Sequence, residues 1–196
     1  MLRLLGRATS GNVQKVIFGM EEMGLSYERE DYGRQFGNTA TPEYAALNPT
    51  RKVPTLVDGD VVVWESNTIL RYLAAKSASP LYPSDLAARS EVERWMDWLL
   101  AALNPCYLAG FRDAKKPAAE RGVNTVSDLL TELAVLEGAM ARDWTTGAFS
   151  LADIALGPIV RRCLAFPFDR PKLPRLEAWH ERLERRSAFA RAVAAG

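Results

Sequence analysis

The segment Asn48-Pro-Thr-Arg-Lys-Val-Pro-Thr-Leu-Val-Asp-Gly-Asp60, continued by Val61-Val-Val-Trp-Glu-Ser-Asn-Thr-Ile69, most constrains what this chain can fold into. Val53-Pro54 opens a short apolar run, and a proline is tolerated in a sheet only at a strand's first residue or at an edge. Asp58-Gly59 marks a turn between this run and the next. Glu65-Ser66 then stands at the mouth of a helix. The order predicts an antiparallel hairpin leading straight into a helix. If the Val53–Pro54 peptide is cis, Val53 is re-aimed to present its own N–H and C=O to something extended. A helix N-terminus carrying a hydroxyl is suited to a carboxylate. Together the two devices describe a cradle for a small peptide.

The residues before this segment read as a βαβ unit, which usually makes parallel neighbours. Residues 2–6 form a short buried strand. A loop, Arg7-Ala-Thr-Ser-Gly-Asn12, then enters a helix whose Val13, Val16, Ile17 and Met20 share one face. Asn12 or Ser10 serves as its cap and Gly24 as its stop. Leu25 to Tyr32 is a second strand, charged enough to lie near a sheet edge. After a polar loop, Thr41-Pro42 starts a short helix, and the helix from Ser66 fades at Lys76.

Residues 77–86, with small side chains and two prolines, read as a linker. Beyond them strand signals largely disappear. The expected organisation is an α/β domain over 1–76 with the order βαβ-α-ββα, then an all-helical domain over 87–196. Within the second, Pro105 bends or ends the first helix, residues 113–124 form a polar loop, and Ser127 caps the next helix. Ser150-Leu-Ala-Asp153 has the form of a capping box, a structural role for Ser150 and Asp153. The last amphipathic helix carries Leu176, Trp179 and Leu183, with His180 on its surface and Phe189 and Val193 in a short tail.

Composition removes several function classes. Twenty-five lysines and arginines nearly balance 24 acidic residues, so nothing favours nucleic acid or an anionic membrane. Apolar runs are short and broken by charges, so no segment is expected to span a bilayer. The first residues read as a strand, not a signal peptide. Cys106 and Cys163 lie far apart and are expected to be reduced, buried thiols in a cytoplasmic protein. With one histidine and no cluster of metal-type ligands, zinc chemistry and a Ser-His-Asp triad find no support.

Taken together, Asn48 to Gly59 with Glu65-Ser66-Asn67-Thr-Ile69, followed by Ser150-Leu-Ala-Asp-Ile154, resembles the soluble glutathione transferases over essentially the whole length. The resemblance implies a thioredoxin-like N-terminal domain and an all-helical C-terminal domain. It implies that Val53 pairs its backbone with the cysteinyl part of glutathione, a short strand addition started by the structural Pro54. Glu65 would take the γ-glutamyl ammonium, Ser66 the γ-glutamyl carboxylate at the helix N-terminus, and Lys52 the glycyl carboxylate or the substrate edge.

Family members lower the thiol pKa with a tyrosine, serine or cysteine near the first helix. No tyrosine precedes Tyr27 here and no cysteine precedes Cys106. Counted back from Lys15-Val16, Ser10 falls where the serine-using members have theirs and Asn12 where some bacterial members place an assisting asparagine. The resemblance therefore implies Ser10 as the first choice, Asn12 as the second donor and Thr9 as the reserve. The bare reading of Ser10 and Asn12 is a pair of helix caps. The family commonly has glycine at Arg51; a loop rearranged around the arginine is the expectation. The activity implied is conjugation of glutathione, as co-substrate with no further cofactor, to a small hydrophobic electrophile, or reduction of an organic peroxide with it, by a homodimer. A binding protein of the same fold with little catalysis is the alternative. Tyr107, Phe111 and Arg112 are candidates for the edge of the electrophile pocket.

Overall fold

A computed structural model describes residues 1–194; the last two residues of the expected helical domain lie outside it. The chain forms two compact units. One is Met1–Tyr82 joined by the tail from Arg186, the other Pro83–Arg185. The tail therefore departs from the expected division: it belongs with the first unit because its helix packs on an N-terminal helix there.

The first unit holds a four-stranded sheet of order β2-β1-β3-β4, from β1 (Leu2–Leu5), β2 (Tyr27–Glu30), β3 (Thr55–Asp58) and β4 (Val61–Trp64). β1 and β2 are parallel, Leu4 facing Arg29. β3 runs antiparallel to β1, Leu4 facing Leu56, and to β4, Asp58 facing Val61. α1 (Gly11–Glu22), α2 (Pro42–Leu47) and α3 (Ser66–Lys76) occupy the predicted positions. Leu4, Leu5, Val13, Val16, Leu56 and Ile69 are buried. At Gly6 a Cβ would lie 2.5 Å from a Val13 methyl, so the absence of a side chain lets the end of β1 meet α1 closely. Thr41 caps α2, its hydroxyl accepting the Tyr44 amide at 3.3 Å.

Asp58 ties the hairpin to α3, receiving the Tyr72 hydroxyl at 2.7 Å and the Lys76 ammonium. α9 (Ser187–Val193) lies on α1. Arg186 makes a two-pronged pair with Glu22 at 2.6 and 2.7 Å, and Phe189 meets Phe18 edge-on at 5.1 Å.

The second unit is helical: α4 (Leu86–Trp98), α5 (Asn104–Asp113), α6 (Thr125–Ala139), α7 (Leu151–Leu164) and α8 (Pro174–Glu184). Pro105 does not end the first helix. A widened π-type turn at Leu99–Leu103 joins α4 to α5 in unbroken helical conformation, and the proline sits just after that turn.

The polar 113–124 segment is tied across its base. The Asp113 carboxylate accepts from Lys116 Nζ (2.7 Å), the Gly122 amide (2.7 Å) and Thr125 Oγ1 (2.8 Å). α6 consequently starts at Thr125, and Ser127 lies inside its first turn instead of capping it. The Ser150–Asp153 capping box is formed as read, and Asp153 also accepts from Trp179 Nε1 at 2.8 Å. His180 is not a surface residue. Its side chain is only 13% exposed, and burial pushes its pKa down.

Candidate functional site

The site is assembled where the N-termini of α1 and α3 approach each other beside the loop that precedes β3. Ser10 occupies the N-cap position of α1 in extended conformation, but its hydroxyl makes no bond to the first-turn amides. The loop entering the helix is held by other groups. Gln14 Nε2 donates to the Ala8 carbonyl at 3.0 Å, and the Ser10 amide to the Arg7 carbonyl at 3.1 Å. The cap reading of Ser10 is thus right in position and wrong for its hydroxyl. Asn12, half-buried in the first turn, accepts a hydrogen bond from the Ser66 hydroxyl at 3.4 Å. That contact joins the two helix mouths, whose unpaired amides and dipoles favour negative charge.

Glu65 immediately precedes Ser66 with φ 71° and ψ 118°. Positive φ is uncommon for a side-chain-bearing residue and costs of order 1–3 kcal/mol. Its carbonyl still accepts the first helical bond, from the Ile69 amide at 2.9 Å, while its side chain stays exposed and that of Ser66 is buried. The Val53–Pro54 peptide is cis. Pro54 is buried and Val53 half-buried just before β3.

Two residues that sequence reasoning left out hold this loop. Tyr44 Oη donates to the Lys52 carbonyl at 2.6 Å and lies 2.9 Å from Thr55 Oγ1. Asn48 Nδ2 donates to the same carbonyl at 3.0 Å and to Thr55 Oγ1 at 2.9 Å. Asn48 Oδ1 closes the preceding turn by accepting the Thr50 amide (3.0 Å) and hydroxyl (2.7 Å). Both residues are almost wholly buried. Burial raises the Tyr44 phenol, keeping it a donor.

With Lys52's carbonyl drawn inward, Arg51 takes φ 54°. The loop has not rearranged around the arginine; it keeps the left-handed conformation that glycine adopts without strain. The Lys52 and Arg51 side chains are exposed. A third residue missed in the sequence is Lys15, fully buried on α1. Side chains that bond distant carbonyls leave no periodic trace. The only sequence hints were a tyrosine in the short α2 and an asparagine just ahead of Pro49.

Ser150 and Asp153 belong to the helical unit and act there as structure. Five donor groups of Thr145, Ser150 and Trp179 converge on Asp153. Burial nevertheless pushes its carboxyl upward. In the same unit Tyr107 stacks on Phe166 and tilts against Phe111, with ring centroids 6.1 Å apart in each case. Cys163 is buried and Cys106 half-buried, both free, and burial raises both thiols. Neither is a ready nucleophile. Among the described residues no group of histidine, cysteine and acidic side chains could hold a metal ion, and no helix is long and apolar enough to cross a membrane.

Residues 2–75 match the model of the glutathione S-transferase N-terminal domain, and residues 117–182 match that of the C-terminal domain. The chain belongs to the glutathione S-transferase family. It is 34% identical to the glutathione S-transferase GstB of Escherichia coli, the match covering 98% of each chain. It is 35% identical to glutathione S-transferase theta-1 of Bos taurus over 82% of this chain and 72% of the other. Among solved structures, the theta class glutathione S-transferase of Xanthomonas axonopodis pv. citri with glutathione bound superposes with a TM-score of 0.91. Sequence identity there is 39%, and coverage 100% of this chain and 98% of the other. A glutathione transferase family member from Pseudomonas fluorescens, with two glutathione bound, gives 0.85 at 26% identity, covering 98% and 92%. As a glutathione S-transferase, the chain shows the family's thioredoxin-like sheet and its helical C-terminal unit.

Proposed function

We propose that this glutathione S-transferase conjugates glutathione to a small hydrophobic electrophile through a thiolate stabilised by Ser10. The observation that carries the reading is the Ser66–Asn12 contact, which puts two helix N-termini at one place, while Val53 and Val13 of α1 both lie against Gly6 at the end of β1. The γ-glutamyl carboxylate sits on the amide and hydroxyl of Ser66, the γ-glutamyl ammonium on Glu65, and the cysteinyl backbone along Val53. Lys52, exposed at the loop, meets the glycyl carboxylate.

This places the thiol near the mouth of α1. A free cysteine thiol has a pKa of about 8.5, leaving little thiolate at neutral pH. The Ser10 hydroxyl, not spent on its own helix, donates to sulfur, with the Asn12 amide assisting, and the α1 dipole adds to both. Thiolate then attacks the electrophilic atom. A carbon–sulfur bond forms, and the leaving group departs with the bonding pair. An organic peroxide would be attacked at oxygen in the same way.

Ultraviolet titration of bound glutathione tests this. A thiolate band with an apparent pKa well below that of the free thiol is expected. In Ser10→Ala that pKa should rise, with kcat/KM falling about 10- to 100-fold, as the loss of a hydrogen bond to a charged group predicts. Binding with an unshifted thiol would sink the catalytic reading and leave a binding protein. Absence of binding would sink both. The family likeness also supports a homodimer. Val61, Val62 and Trp64 leave edge strand β4 exposed and apolar, a surface that benefits from cover. Sedimentation equilibrium giving a monomer would reject this.

A further inference from the structure

Lys15 lies in the second turn of α1, wholly buried, and its Nζ has no hydrogen-bond partner. A buried ammonium without a partner is driven toward its neutral form. Burial brings Lys15 down to about 7, and the Glu65 carboxylate is the charge that opposes this by favouring the protonated form. Other ionisable groups on the elements packed against α1 do not enter that balance. Lys76 of α3 is bound to Asp58, Arg186 ahead of α9 and Arg191 within it to Glu22 and Glu21 at the far end of α1, and Arg3 of β1 to Glu30. Lys15 follows Asn12 by three residues, so both lie on one face of α1, the face on which Asn12 takes the Ser66 hydroxyl. The Asn12–Ser66 contact thus joins this face of α1 to the residue that follows Glu65.

We propose that Lys15 is the positioning residue of the γ-glutamyl end of the site: it shares Glu65 with the ligand's α-ammonium and gives up a proton as that ammonium arrives. The inference rests on the glutathione reading above. The arriving ammonium neutralises Glu65 and excludes water from it, and both changes disfavour a charged Lys15. The ligand's carboxylate acts in the opposite sense, but the amides at the mouth of α3 and the Ser66 hydroxyl offset it. The proton leaves Nζ for the buffer, the electron pair stays on nitrogen, and no other bond changes. A ligand without the α-ammonium drives no such exchange, so Lys15 makes the subsite discriminate for an amino acid end.

Titration calorimetry at pH 7 tests this with S-methylglutathione, whose sulfur cannot ionise, in phosphate and in Tris, which differ widely in heat of ionisation. The expected result is a binding heat that differs between the two buffers in the sense of proton release, a fraction of one proton per site. The analogue lacking the α-amino group should show no difference. Lys15→Met should bind with equal heats in both buffers. Lys15→Arg, which keeps its proton, should also give equal heats and bind about tenfold more weakly. Equal heats for the unaltered protein, proton uptake, or release that survives in either variant would overturn the proposal. Binding without release removes this inference alone. No binding of S-methylglutathione removes the glutathione reading and this one with it.

Discussion

Arg51 and Tyr44 show how single residues set the loop that presents Val53. Arg51 holds φ 54°, a conformation that a side chain makes unfavourable and glycine accepts freely. Arg51→Gly should therefore raise stability by about 1 kcal/mol, read as a higher urea midpoint with unchanged slope. A lower midpoint would mean that the arginine side chain stabilises the loop by more than its backbone costs. Tyr44 works from beneath, its hydroxyl on the Lys52 carbonyl at 2.6 Å. Tyr44→Phe leaves the ring stacked on Tyr32, 5.1 Å away, and removes the bond to the carbonyl. The expected result is a several-fold rise in KM for glutathione, kcat within about twofold, and a stability loss of about 1–2 kcal/mol. A fall in kcat with unchanged KM would contradict a purely positioning role. Pro54, Glu65 and Ser66 were legible in the sequence because each belongs to a local pattern with a fixed offset. Tyr44, Asn48 and Lys15 were not, because their work is done on groups that the chain brings close only when folded.

At the level of elements, helix starts defined by a side chain's local bond were read well, as at Thr41 and Ser150. Those set by a distant group were not. The start of α6 was misplaced because Asp113, twelve residues upstream, takes the Thr125 hydroxyl and draws the first turn back. That clamp has a consequence in acid. Hydrogen bonding from Lys116, then from the Gly122 amide and Thr125, holds the Asp113 carboxyl well below the ordinary carboxylate value. A depressed carboxyl contributes stability that is complete above its unfolded value, about 3.9, and lost as pH falls through its folded one. Asp153, which burial pushes upward, contributes in the opposite sense. The Asp113 contribution is therefore isolated by difference. Subtracting the stability of Asp113→Asn from that of the unaltered protein, measured by urea unfolding from pH 6 to pH 2.5, should give a gap that shrinks below about pH 4. A gap that stays constant or widens in acid would show that the clamp does not depend on the charge.

At the level of the molecule, the chain's end returns to the unit that contains its beginning. A linker followed by helices suggested one domain after another, and the tail breaks that order for a physical reason. α1 ends in Glu21-Glu22, two negative charges at the end of a helix whose own dipole is already negative there. Arg191 and Arg186 answer them at 2.6 Å, while Phe189, 1% exposed, meets Phe18 of α1. The two kinds of contact should separate in size. Arg191→Ala removes a largely exposed pair and should cost no more than about 1 kcal/mol. Phe189→Ala empties a buried aromatic site and should cost about 3–5 kcal/mol. Because the tail packs on α1, the loss should appear first in the N-terminal unit. Hydrogen exchange should accelerate at the amides of α1 and β1, while those of α7, in the other compact unit, keep more of their protection. Ligand affinity provides a second reading of the same variant, since α1 carries Ser10 at its opposite end. Phe189→Ala should weaken glutathione binding in proportion to the population with α1 opened, and lowering the temperature toward maximum stability should restore it. Equal acceleration of exchange in both units, or weakened binding at full α1 protection, would show that the tail acts by some route other than holding α1.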